Sequence, residues 1–117
     1  MMNYVIVALG SNHLPAAHIR WASTRLATLL VGVRFSRTLW TPDIHGTGSY
    51  YMNRLATGFT ELPIKTLQLT LKAIEAETCR TKGSVTIDLD LMQYDGQRYH
   101  ESDWPRPYIQ QLITDIL

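Results

Sequence analysis

Thr86-Ile87-Asp88-Leu89-Asp90-Leu91-Met92 is the stretch on which the reading of this chain turns. Its alternation of apolar and polar residues predicts a strand with Val85, Ile87, Leu89 and Leu91 on one face, and Thr86, Asp88 and Asp90 on the other. The two carboxylates then point the same way. At about 3.3 Å rise per residue their Cα atoms lie roughly 6.5–7 Å apart, so their flexible ends can converge on one or two bridging cations. Like charges so placed repel unless something positive lies between them. Mg²⁺ with a polyphosphate co-ligand suits the pair, because it takes only one or two protein carboxylates. The plain alternative is a solvated strand face, and an isolated Asp-x-Asp does not separate the two.

Upstream of this strand, Arg80 to Ser84 forms a short basic connection. Before it, Ile64, Leu67, Leu71 and Ile74 recur at helical spacing, with Lys65, Gln68, Lys72 and Glu75 off the stripe and Pro63 tolerated in the first turn. Tyr50 to Phe59 reads as a strand, Thr41 to Ser49 as a loop on composition, and Val33 to Trp40 as a mixed, strand-like segment. Near the N-terminus, Tyr4 to Leu9 is a continuous apolar run suited to a central strand buried on both faces. It stops at Gly10-Ser11-Asn12, a sharp exit. After Pro15, the positions Ile19, Ala22, Leu26 and Leu29 give a second apolar helical stripe, expected to end near Gly32.

The order is therefore β-α-β-β-α-β. It predicts an α+β ferredoxin-like sandwich, an antiparallel sheet with helices on one face, spanning residues 1–117 as a single domain. In that topology the last of the four strands lies beside the first, which brings Asp88 to Gly10-Ser11-Asn12. Downstream, Asp95-Gly96 signals a hairpin, and Tyr108 to Ile116 a short terminal helix.

Composition excludes some functions. The formal net charge is +1, so there is no global field for nucleic acid or an anionic membrane, and any anion site must be local. Hydrophobic residues at 45% and charged residues at 18% are ordinary for a soluble globular protein. Cys79 is the one cysteine, which rules out an internal disulfide or a thiolate cluster and fits a reducing cytoplasm. The first apolar run is too short for a signal or membrane segment. His13, His18, His45 and His100 show no metal-ligand spacing and read as structural or surface residues.

The ordered set Ala8-Leu9-Gly10-Ser11-Asn12, Thr41-Pro42, Tyr51-Met52-Asn53, Ile74-Glu75 and Ile87-Asp88-Leu89-Asp90-Leu91-Met92 resembles the 6-hydroxymethyl-7,8-dihydropterin pyrophosphokinases of folate biosynthesis. Each motif is weak, but the set spans nearly the whole chain in the right order. The resemblance implies a ferredoxin-like fold and transfer of pyrophosphate from ATP to the pterin hydroxymethyl group, with release of AMP. It also implies site residues. Asp88 and Asp90 match a pair that holds two Mg²⁺ ions on the triphosphate. Tyr51 matches a ring stacked on the pterin, Asn53 a partner for its polar edge, and Thr41-Pro42 part of the pterin-contacting loop. Glu75 matches a helix residue of the nucleotide site, and Arg80 with Lys82 a basic corner at that site. Arg106 falls where the family has histidine, and Tyr108 is the candidate for the second stacking aromatic.

The departures concern charge. The family carries a long loop of arginines and a tryptophan after the basic corner, whereas here only Gly83, Ser84, Val85, Thr86 and Ile87 separate Lys82 from Asp88. Val85 stands where the last arginine is expected. Loss of one such arginine costs orders of magnitude in phosphoryl-transfer rate. Three functions are therefore weighed: a working pyrophosphokinase, a pterin- or nucleotide-binding relative with little or no catalysis, and a sensing or assembly module on the same fold. Each residue also has a plain reading: Tyr51 and Trp40 as strand aromatics, Asn53 as a turn residue, Glu75 as a helix-surface charge, and Cys79 as an inert thiol.

Overall fold

A computed structural model describes residues 2–42, 46, 48–78 and 84–117. Three helices and six strands alternate along it: β1 Asn3–Ser11, α1 Pro15–Leu29, β2 Val31–Phe35, β3 Leu39–Pro42, β4 Tyr50–Thr60, α2 Ile64–Ala76, β5 Asp88–Tyr94, β6 Gln97–Arg98 and α3 Pro107–Ile113. The strands form one sheet in the order β2-β4-β1-β5-β6, with β3 also paired to β4, and every described pairing is antiparallel. This is the ferredoxin-like α+β arrangement expected from the element order.

β1 is central, as its apolar run requires. Its even and odd residues feed two cores, because successive strand side chains point to opposite faces. Val5, Val7 and Leu9 pack with Ile19, Ala22 and Leu26 of α1, Leu67, Leu71 and Ile74 of α2, and Leu89 and Leu91 of β5. Ile6 packs on the other face with Leu55, Met92, Trp104, Ile109, Leu112 and Ile116. The two long helices thus share one face, and α3 with the turn before it covers part of the other.

β5 carries a bulge just after Leu91, which lies in the first core, at Met92, which alternation places in the second. The β1–β5 register runs Ile6↔Gln93 and then Val7↔Leu91, so Met92 is the extra residue. Its carbonyl, displaced from the ladder, accepts from the Tyr99 amide at 2.9 Å and the Trp104 indole at 3.2 Å. The hairpin beyond it turns at Asp95 and Gly96, both left-handed (φ 49° and 83°), as Asp-Gly allows.

The structure corrects several boundaries. The segment read as one strand over residues 33–40 is two, β2 and β3. The break falls at Ser36, whose buried hydroxyl accepts from the Leu55 amide at 2.8 Å, and at Arg37, whose amide is taken by Asp115 Oδ2 at 2.9 Å. Thr41 and Pro42, read as loop, pair with Tyr51 and Tyr50 and so end β3. Helix α1 ends at Leu29, ahead of Gly32, which lies within β2 at φ 62°. Strand β5 begins only at Asp88; Thr86, expected beside the two acids, is buried with its hydroxyl 2.5 Å from that of Thr78. Among the described residues, no helix is long and apolar enough to cross a membrane.

Candidate active site

Among the described residues, the face of the sheet that carries α3 is covered at one end only, and beyond Leu55 and Leu112 a cleft of about 260 Å³ opens over the strands. The register decides what it contains. Directly opposed antiparallel residues share a face. Ala8 pairs with Leu55 on one side and Asp90 on the other, and Gly10 pairs with Asn53 and with Asp88. β3 extends the same face, with Leu39 opposite Asn53 and Thr41 opposite Tyr51. The alternation of β5 therefore aims both carboxylates into the cleft.

Gly10 forms the floor. A Cβ there would sit 3.5 Å from Asn53 Oδ1 and 3.9 Å from the Tyr51 ring, so its absence leaves room between the acids and the aromatic. The exit after Gly10 is fixed to the entry of β5. The Asn12 amide donates to the Val85 carbonyl at 2.9 Å, and the Val85 amide to Asn12 Oδ1 at 2.6 Å. Asn53 is buried, and its Nδ2 donates to Thr41 Oγ1 at 2.6 Å, which fixes the amide plane and joins β3 to β4 within the wall.

The opposite wall comes from the turn into α3. Asp103, Arg106 and Tyr108 line it, together with Leu112. Arg106 Nε donates to Asp103 Oδ1 at 2.9 Å, and that bond raises the guanidinium pKa further above its ordinary value. Burial raises the Tyr108 phenol, helped by Asp103 and Asp90, so it is a neutral hydroxyl near pH 7. Asp90 is also raised, first by burial and then by repulsion from Asp88 and Glu75; His100 and Lys72 oppose this. His100 Nε2 lies 3.9 Å from Asp90 Oδ1, and His100 holds a left-handed backbone at φ 52°.

Of the residues expected in the site, Asp88, Asp90, Thr41, Pro42, Tyr51, Asn53, Arg106 and Tyr108 all line this one cleft. Glu75 does not line it. Its carboxylate reaches β5 from α2, where Oε2 accepts from the Leu89 amide at 2.7 Å and Oε1 faces Lys72 Nζ at 3.3 Å. Arg80, Lys82, Cys79 and His45 lie outside the described residues. Reasoning from sequence passes over Asp103; His100, read as a structural or surface residue, is exposed. Asp103 has one legible signal, its place three residues before Arg106.

The family model for 7,8-dihydro-6-hydroxymethylpterin-pyrophosphokinase (HPPK) matches residues 6–116. The chain belongs to the HPPK family. That family's members are pterin pyrophosphokinases of folate biosynthesis, with ATP as co-substrate and Mg²⁺. Comparison with curated protein sequences gives no match. The HPPK match runs from β1 past the end of α3, and so takes in every wall of the cleft.

Proposed function

We propose that this chain transfers pyrophosphate from ATP to the hydroxymethyl group of 6-hydroxymethyl-7,8-dihydropterin, and that the cleft between β1, β3, β4, β5 and the turn into α3 is where it does so. The observation that carries this reading is the convergence of an aromatic ring, a fixed amide, two carboxylates and a guanidinium on one cleft within an HPPK-family chain. The pterin, a flat heterocycle with a polar edge, fits between Tyr51 and Tyr108, with Asn53 against the edge and Thr41-Pro42 beside it. Asn53 already gives one amide hydrogen to Thr41, so its orientation is set before a ligand arrives.

The donor set at the other end suits a hard cation. Asp88 and Asp90 supply carboxylate oxygens alone, and among the described residues no three His, Cys, Asp or Glu side chains come together. Such a pair leaves the remaining coordination positions to phosphate oxygens and water, the usual habit of Mg²⁺. Bound there, Mg²⁺ supplies charge neutralisation on the triphosphate. Burial and the Asp88 charge disfavour ionised Asp90, so the pair gains most from a cation when substrate brings one. Arg106 lines the same cleft, and on this reading its guanidinium receives phosphate oxygens. Catalysis of this kind rests on positioning and neutralisation rather than on a protein nucleophile.

A second reading has its own support. The family's long cationic loop is replaced here by Gly83 to Ile87 alone, which favours a relative that binds Mg²⁺-ATP and pterin with little turnover. One assay separates them: AMP release from Mg²⁺-ATP with and without the dihydropterin, with Asp88→Asn alongside. Pterin-dependent AMP that vanishes in Asp88→Asn is the expected result. Folded protein that binds Mg²⁺-ATP but yields no AMP above background would leave the binding relative.

A further inference from the structure

We propose that Asp103 is a positioning residue, whose carboxylate aims the Arg106 guanidinium at the phosphate end of the cleft. This rests on the proposed reading of the cleft as a site of polyphosphate transfer and adds a residue to it.

The backbone that bears the pair is tied down from several sides. The Asp103 amide donates to the His100 carbonyl at 2.8 Å, and the Arg106 amide to the Asp103 carbonyl at 3.0 Å, closing two successive turns. Between them Trp104 is buried, with its indole N–H shared by the carbonyls of Met92 at 3.2 Å and Tyr99 at 3.0 Å. Gln110 Nε2 donates to the Trp104 carbonyl at 2.6 Å, and the Arg98 guanidinium lies 4.1 Å from the centre of the indole ring. The turn is therefore anchored to the β5 bulge, and the main freedom left is that of the arginine side chain.

Asp103 removes most of that freedom in a particular way. Its contact uses Nε, the inner nitrogen of the guanidinium. Among the described residues no acceptor holds the two terminal amino groups, and both residues line the cleft. A guanidinium held at Nε presents its outer edge in a fixed plane, the geometry that receives phosphate oxygens bidentately. The pair is local and half-buried, with side chains 32% and 29% exposed, so its share in stability is modest. What its geometry adds is the orientation of a cation that lines the cleft. Asp103 bears a negative charge near the phosphates, so its benefit must come from geometry and not from its charge.

That distinction gives the test. Mg²⁺-ATP binding is measured by titration calorimetry for the unaltered chain, Asp103→Ala, Asp103→Asn, Arg106→Ala and the Asp103→Ala/Arg106→Ala double variant, with melting curves to show that each is folded. Asp103→Ala is expected to weaken binding about three- to tenfold, the worth of one net hydrogen bond. Asp103→Asn keeps an oxygen that accepts from Nε and should stay within about twofold of the unaltered chain, or bind more tightly. In the Arg106→Ala background, Asp103→Ala should weaken binding no further, because the carboxylate supports binding only through the guanidinium, and loss of its charge can then only favour the phosphates. Unaltered binding in Asp103→Ala, no rescue by Asp103→Asn, or an undiminished loss in the double variant would overturn the assignment. If Arg106→Ala alone weakens binding while Asp103 is indifferent, only this inference fails. If the unaltered chain does not bind Mg²⁺-ATP, the reading of the cleft fails with it.

Discussion

Glu75 offers the sharpest test of how the two acids are held. β6 pairs with β5 at Gln93 and Tyr94, and among the described residues no strand pairs with the outer edge of β5 along Asp88–Leu91. The Leu89 amide is buried there, and Glu75 Oε2, reaching from α2, is its acceptor at 2.7 Å. Glu75→Ala strands that N–H. A hydrogen bond to a charged acceptor is worth about 1.5–3 kcal/mol, and an unsatisfied buried donor costs about 1–3 kcal/mol, two descriptions of one loss. Alanine returns a few tenths of a kcal/mol through helix propensity. The Lys72 contact adds almost nothing, since the lysine is largely exposed. The net cost is about 2 kcal/mol, or a fall in Tm of about 8–10 °C for a chain of this size. Glu75→Gln keeps an acceptor oxygen and should lose about half as much. Thermal denaturation by circular dichroism reads both, and Mg²⁺-ATP titration reads the consequence at Asp88 and Asp90, which flank Leu89. A Glu75→Ala variant that melts within about 2 °C of the unaltered chain would refute the tether. A Glu75→Gln variant of normal stability that loses nucleotide would instead return Glu75 to direct contact with ATP.

Other variants probe the remaining parts. Asp90 has a raised pKa, so the folded state holds its proton above the pH at which the unfolded chain gives it up, and stability falls as pH rises through that window. Asp90→Asn should therefore stabilise the fold in Mg²⁺-free buffer at pH 7, by under about 1 kcal/mol given the partial exposure of the side chain, and so raise Tm by a few degrees at most. The gain should vanish below about pH 4, and Mg²⁺-ATP should stabilise only the unaltered chain. Trp104→Ala empties the second core and frees two carbonyls; a cost of about 3–5 kcal/mol is expected in chemical denaturation, and Mg²⁺-ATP binding should weaken with it as the turn bearing Arg106 loosens. Gly10→Ala meets only ordinary packing distances and should leave the melting curve close to normal, yet the added methyl stands against Asn53 and Tyr51 and should weaken pterin binding in a fluorescence titration.

The strands and helices that build the main core were legible because each shows one unbroken period. Ile19, Ala22 and Leu26, and Leu67, Leu71 and Ile74, all fall in the core at the predicted spacing. The α3 face was less legible. Leu91-Met92 interrupts the apolar–polar pattern without showing where the extra residue lies, and a bulge changes the facing of every residue after it, so it can be located only once the register with β1 is known. Ser36 reads as an ordinary strand residue, although its hydroxyl replaces a ladder bond and divides β2 from β3. In the cleft, the acids and their approach to Gly10 followed from strand order. The role of Glu75 did not, because a carboxylate bonded to a backbone amide leaves no mark in sequence beyond its helical position. Asp103 escapes a sequence reading because its pairing with Arg106 needs a turn whose anchors, Met92 and Tyr99, are fixed by that same bulge.

The bulge therefore links the core to the chemistry. Had β5 continued its alternation, Met92 would keep its carbonyl in the ladder and the Trp104 indole would lack one of its two acceptors. The turn holding Asp103 and Arg106 would then sit on the sheet through side-chain packing alone. With the bulge, burial of Ile109, Leu112 and Ile116 and placement of the arginine become one cooperative event. Under the proposed function this bears directly on the shortened cationic segment. A guanidinium carried by a mobile loop must be ordered at each turnover, at a cost of about 1–2 kcal/mol for every backbone residue fixed. Arg106 is ordered when the chain folds, so a single pre-placed cation recovers part of what several mobile ones supply, in the manner of other preorganised electrostatic sites.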